Sequence, residues 1–141
     1  MSAIQLAAFA RTTEPQSVLR RFLALDAAVT GANALAYLAF SGPLGRFLGV
    51  GSGLLLAVGA FLALYAAGVA LPAGRRRPPA AGVRAVVEVN LAWTVLSLVS
   101  LALWLSPSTA GTVWTVFQAV TVAGFAALQH LALKACQEAD S

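Results

Sequence analysis

The sequence predicts an all-α fold: a bundle of four transmembrane helices running up, down, up and down, with both termini in the cytoplasm. Three observations lead there. First, 60% of the 141 residues are apolar and only 10% are charged, which leaves too little polar side chain to cover a water-soluble domain. Second, four apolar runs can be drawn, Phe22–Phe40, Gly51–Leu71, Arg84–Leu105 and Gly111–Leu133. Each is close to the roughly 20 helical residues that a hydrocarbon core of about 30 Å takes to cross. Third, the charge alternates. Of nine Lys and Arg, eight fall in alternate segments: Arg11, Arg20 and Arg21 before the first run, Arg75, Arg76, Arg77 and Arg84 between the second and third, and Lys134 after the fourth. Only Arg46 lies in the first connection, and Ser106–Ala110 has none. Basic residues are retained on the cytoplasmic side, so the ends and the middle loop are placed there, in a bacterial inner membrane. The net charge of +4 therefore reads as a topology signal rather than a nucleic-acid surface. The chain is one domain long.

Each element has a local reason. Ile4 to Phe9 form a short apolar patch that either lies on the membrane surface or frays. Thr13-Glu14-Pro15-Gln16 reads as a helix start, with Thr as N-cap, Pro in the first turn and Gln set for a capping box. The first helix would then begin several residues before Phe22, with 1–21 as the cytoplasmic end. Gly42-Pro43 is expected to end it, Gly by a left-handed C-cap and Pro by its missing N–H. The small-x-small triplet Ala34-Leu35-Ala36 could mark signal cleavage, but the long leading segment, Asp26 and Asn33 argue for a retained helix. Pro72-Ala73-Gly74 stops the second helix, and Arg75-Arg76-Arg77-Pro78-Pro79 makes an extended basic loop suited to anionic lipid. Ser106-Pro107-Ser108-Thr109 makes a tight turn in which Ser108 or Thr109 can cap the fourth helix. With connections this short, consecutive helices are expected to be antiparallel neighbours, and 134–141 is the cytoplasmic tail. Its Cys136, the single cysteine, can form no intrachain disulfide and is either an incidental thiol or a palmitoylation site.

Polar residues within the runs are the candidates for chemistry. Asp26, Thr30, Asn33 and Tyr37 recur on one face of the first helix. Asn90, Thr94, Ser97 and Trp104 form a stripe on the third, with Trp93 and Ser100 beside it. Trp114, Gln118, Thr121 and Phe125 form a stripe on the fourth, while the second offers little beyond Tyr65. These stripes read either as interhelical bonds that fix register, worth about 0.6 kcal/mol each, or as a small-solute pocket around Asn33, Gln118 and Trp93. The candidate site is thus Asp26, Thr30, Asn33, Asn90, Trp93 and Gln118.

Asp26 and Glu88 are the candidate proton or ion sites, both near the cytoplasmic boundary. By helical phase Glu88 lies opposite the Asn90–Ser97 stripe, which argues against a dyad; it can instead pair with Arg84 at i, i+4. The alternative for Asp26 is a structural carboxylate, neutral or paired with Arg21, Arg84 or a neighbouring helix end. His130 stands alone, so no metal site is expected, and no phosphate loop, nucleophile elbow or zinc-protease motif is present. No cofactor is implied. Gly59, Ala63 and Ala67, and Ala119, Ala123 and Ala127, offer small faces for packing within the bundle or for oligomer contact.

The run LALDAAVTGANALAYL (Leu23–Leu38) with GPLGRFLGV (Gly42–Val50), VRAVVEVNLAW (Val83–Trp93) and SPSTAGTVWTVFQAVTVAGFAALQ (Ser106–Gln129) resembles small four-span bacterial membrane proteins common in actinobacteria. The resemblance rests on Asp26, Thr30, Gly31, Asn90, Trp93, Pro107, Gly111, Gln118 and Gln129. It implies the same topology and no particular activity. Two readings of function follow: a non-enzymatic bundle acting through association with itself or another membrane protein, and a small-solute or proton-coupled carrier using the Asp26–Asn33 stripe and Gln118. A membrane enzyme would need a clustered reactive site that the sequence does not display.

Overall fold

A computed structural model describes residues 14–103 and 105–139. Within them the chain forms five helices: α1 Pro15–Ala39, α2 Ser41–Leu48, α3 Ser52–Ala73, α4 Ala80–Leu103 and α5 Thr109–Ala139. All but α2 are long and apolar enough to cross a membrane. Even the 22 residues of α3 extend about 33 Å at the α-helical rise. The apolar patch Ile4 to Phe9, Arg11, Thr13 and Trp104 lie outside the described residues.

The four helices correspond to the four apolar runs, yet three of them reach well past the run. α1 starts at Pro15, α4 starts at Ala80 and α5 continues to Ala139. Hydropathy falls where charged residues begin, whereas backbone hydrogen bonding carries on through Arg20, Arg21 and Lys134, which favour helix. One consequence corrects the reading of the tail. Cys136 is a helical residue only 4% exposed, packed in the core cluster with Val18, Leu19, Val69 and Val83. Acylation needs an accessible thiol, so this burial removes Cys136 as a palmitoylation site.

Two further expectations are corrected. The N-cap of α1 is Glu14, without a side-chain cap, and Gln16 Oε1 is buried with no hydrogen-bond partner, so Gln16 does not close a capping box. Nor does Gly42-Pro43 terminate α1. The first helix ends at Ala39, and Gly42 and Pro43 fall inside the first turn of α2. There the missing proline N–H would have no intrahelical partner anyway, so Pro is tolerated. Gly49, in the left-handed region at φ 72°, ends α2. Ser108 then ties this short helix to α5. Its N–H donates to the Leu48 carbonyl at 3.1 Å, its hydroxyl donates to the Phe47 carbonyl at 2.7 Å, and its Oγ accepts from the Gly111 N–H at 3.1 Å. Ser108 is therefore the N-cap of α5, as its position in the turn allows.

Packing does not follow chain order throughout. α1 lies along α3 and also along α5, and α4 lies along α5. Gly59 of α3 sits against Tyr37 and Leu38, and Gly31 faces Ala66, so the small residues let α1 and α3 approach closely. Arg20 Nε donates to the Ala73 carbonyl at 3.3 Å, closing the C-terminal end of α3. By contrast α3 and α4, although consecutive, barely approach each other as backbones. Large side chains bridge them: Phe61 stacks on Trp93 at 5.7 Å, and the Tyr65 hydroxyl donates to the Val86 carbonyl at 3.2 Å. The expectation that every consecutive pair packs as neighbours thus fails at α3 and α4. The basic loop is not extended as expected either: it turns at Gly74 and bends through Arg75, Arg76 and Arg77 before Pro78 and Pro79, and aromatic side chains hold the two backbones apart.

The exterior is apolar and the interior carries the polar groups. Leu35 is 70% and Leu64 76% exposed, while Asp26 is 2%, Asn90 2% and Gln129 0% exposed. Water would reverse that order, and hydrocarbon favours it. Towards the basic-loop end, an apolar layer of Val18, Leu19, Leu23, Val69, Val83 and Ala132 closes the bundle.

Candidate functional site

One helical turn beyond that apolar layer, four helices meet on a single carboxylate. Asp26 of α1 accepts from Thr30 Oγ1 through Oδ1 at 3.1 Å, and through Oδ2 from Asn90 Nδ2 of α4 at 2.9 Å and Gln129 Nε2 of α5 at 2.8 Å. Asn90 Nδ2 also donates to Gln129 Oε1 at 3.1 Å, and Tyr65 of α3 donates its hydroxyl to Asn90 Oδ1 at 2.8 Å. The network has a direction. Each amide oxygen is occupied by a donor, and the remaining N–H and O–H groups converge on Asp26, the group with only acceptors to offer when ionised. Buried polar groups are costly unless satisfied; here they satisfy one another across all four long helices. No Lys, Arg or His hydrogen-bonds to Asp26 among the described residues, so the pairing with Arg21 or Arg84 is not formed.

A cavity of about 110 Å³ opens above this network. Its walls include all six polar candidates, Asp26, Thr30, Asn33, Asn90, Trp93 and Gln118. Rings of Tyr37, Phe61, Tyr65, Trp114, Phe117 and Phe125 line it too, with Thr121 and aliphatic side chains such as Leu62 and Val89 between them. Asn33 is half-buried and its amide makes no hydrogen bond among the described residues. A second cavity of about 270 Å³ lies towards α2, lined by Ser97 and Ser100 among others. The two share Tyr37, Trp93, Trp114 and Gln118 as a common wall. That wall is pinned by two hydrogen bonds: Trp93 Nε1 donates to Gln118 Oε1 at 2.8 Å, and Trp114 Nε1 donates to the Tyr37 hydroxyl at 2.6 Å. Thr94 stays out of both cavities and turns its hydroxyl to the Asn90 and Ala119 carbonyls, locking α4 to α5.

Glu88 does not join Asp26. It is exposed and lines a groove between α4 and α5 with Arg84, His130 and Lys134, as its helical phase predicts. The i, i+4 pair with Arg84 is not formed: on an exposed face, solvation of both charges competes with a contact worth only a few tenths of a kcal/mol.

Three residues of the site escaped the sequence reading as site residues. Gln129 continues the Gln118–Phe125 stripe by one more turn, at i+11 from Gln118, so the periodicity held the signal. Tyr65 was legible only as a lone polar residue of its helix. Phe61 had no signal, because an aromatic residue in an apolar run marks core, lipid or ligand equally well.

Fold and site define a helical bundle with four membrane-capable helices, a polar interior and a cavity floored by a buried carboxylate. Compared with protein-family models, with curated proteins and with solved structures, the chain matches none.

Proposed function

We propose that this chain is a multi-pass protein of a bacterial inner membrane that binds a small solute within its bundle, as a carrier or binding protein. The single observation that carries the reading is the cavity itself. All six polar candidates converge on one space of about 110 Å³ whose floor is Asp26. Interhelical bonds that only fixed register would be expected to fill the interior and leave no lined void. The free amide of Asn33 and the uncommitted hydroxyl proton of Tyr37 offer hydrogen bonds to an occupant.

The topology proposed is up-down-up-down with both termini in the cytoplasm. Eight of nine basic residues support it. So do the contacts, which run in opposite chain directions: Asp26 with Gln129 and Tyr37 with Trp114, Gly31 with Ala66 and Tyr37 with Gly59. In this orientation the second cavity faces the periplasm, the apolar layer seals the cytoplasmic end, and Arg75, Arg76 and Arg77 meet anionic lipid headgroups. The Trp93–Gln118 and Trp114–Tyr37 pairs then stand between the outer cavity and Asp26. The resemblance to actinobacterial four-span proteins falls on the same positions, Asp26, Asn90, Trp93, Gln118 and Gln129. Action through association with a second copy or another protein rests on fewer residues, since Gly59 and Ala119 are buried between helices of this chain.

The test is native mass spectrometry of the protein extracted gently from its own membrane. A co-purifying small molecule, lost in Asp26→Asn and Asn33→Leu variants that still fold, supports solute binding. Protein free of any small molecule, recovered only as a dimer or with a second protein, overturns it in favour of association.

A further inference from the structure

We infer that the occupant of this cavity is a small organic monocation, of the alkylammonium class. The inference rests on the solute-binding reading and adds the chemistry of the ligand. Charge is the first argument. Among the described residues, Asp26 is the one acidic residue in the cavity wall, and no Lys or Arg lines it. Its carboxyl group is hydrogen-bonded by neutral donors only, so hydrogen bonding is largely met, and no cationic side chain among the described residues supplies a counter-charge to the ionised form. In a low-dielectric interior the missing counter-charge is the larger deficit. A ligand that brings it gains most, and an anion is repelled. Oδ1 accepts a single bond, from Thr30, which leaves it acceptor capacity.

The aromatic walls select the kind of cation. Phe61, Tyr65, Trp93, Trp114 and Phe117 all line the cavity, with Phe61 stacked on Trp93 at 5.7 Å and on Tyr65 at 6.2 Å. A wall this rich in aromatic rings suits a diffuse organic cation. A hard metal cation would instead require about six oxygen ligands. Two of the amide oxygens nearest Asp26 are committed elsewhere, Asn90 Oδ1 accepting from Tyr65 and Gln129 Oε1 from Asn90, and both amides turn N–H towards Asp26. Size sets the last limit, since about 110 Å³ is of the order of a cavity that holds benzene.

The experiment titrates the full-length protein in lipid nanodiscs with tetramethylammonium, with choline, and with 3,3-dimethylbutan-1-ol, the uncharged carbon isostere of choline. Trp93 and Trp114 report binding through their fluorescence, and native mass spectrometry reports stoichiometry. The expected result is that at least one cation binds and that choline outcompetes the alcohol by at least about tenfold, the scale of a desolvated cation–π contact. Asp26→Asn should reduce that preference several-fold, and Trp93→Leu should weaken both cations. Equal binding of choline and the alcohol overturns the cation inference and leaves solute binding standing. So does a neutral or anionic molecule found in the native cavity. Silence towards all three probes together with an empty native protein overturns both. The choline–alcohol comparison needs no variant, so a poorly folded Asp26→Asn protein does not blunt it.

Discussion

At Asp26 the two carboxylate oxygens receive hydrogen from a hydroxyl and two amides, and each amide is oriented by a further donor. Removing one member therefore strands another. Asn90→Leu leaves Gln129 Oε1 without its donor and takes one of two donors from Asp26 Oδ2, and Gln129→Leu takes the other donor from Oδ2 and leaves one hydrogen of Asn90 without its acceptor. Each single variant should destabilise by about 1–3 kcal/mol, the cost of an unpaired buried polar group. The double variant should cost less than the sum, because both act on the same carboxylate. Reversible unfolding in mixed micelles or bicelles measures the cycle. Strict additivity would mean that the two amides act independently, and the shared network would then be wrong. Register bonds between membrane helices average only about 0.6 kcal/mol, so a loss above that value also separates a buried network from ordinary helix contacts.

Among the elements, the contact of α2 with the start of α5 is the tightest and the least visible in the sequence. A methyl group on Gly111 would collide with the Leu48 carbonyl, and one on Gly49 would meet the Ser108 backbone nitrogen. Gly111→Ala should therefore push α2 off the α5 N-terminus and lower stability by about 1–3 kcal/mol, as overpacking does. Gly124→Ala, in the same helix with nothing within 4 Å of the added methyl, should raise stability by up to about 1 kcal/mol through helix propensity. Thermal melts of the two variants in one detergent decide it. Two alanines of equal effect would show that α2 is not anchored there. The second cavity lies against the same contact, since Leu48 and Gly111 both line it, so Gly111→Ala should also alter access to the site.

For the whole molecule, charge and shape make separate statements. The alternation of basic segments predicts that alkaline phosphatase fused after Arg77 or at the C-terminus is inactive, that the same reporter placed at Pro107 is active, and that a C-terminal fluorescent protein is bright. The reverse pattern would invert the bundle and turn the second cavity to the cytoplasm. Shape is set by the α3–α4 gap, where Phe61, Tyr65 and Trp93 keep the backbones apart. Closing that gap would remove the cavity, so the loosest contact in the bundle is also the one that makes room for a ligand.

How much of this the chain announces depends on the kind of information. Four apolar runs determine the four long helices, because helix length and backbone self-satisfaction are local requirements. The stripes Asp26–Tyr37 and Trp114–Phe125 determine which polar residues share a helix face, since helical period is local too, and Gln129 was one turn further along the same stripe. Pairing between stripes is a different matter. That Asn90 and Gln129 reach Asp26, that α1 packs on α5 while α3 and α4 stand apart, and that Gly42-Pro43 opens a helix rather than closing one were decided only by tertiary structure. Periodicity gives each helix its own phase but not its rotation against a neighbour. Rotation is fixed by close contacts such as Gly59 on Leu38 and by satisfying a buried carboxylate, and both are properties of helices already brought together.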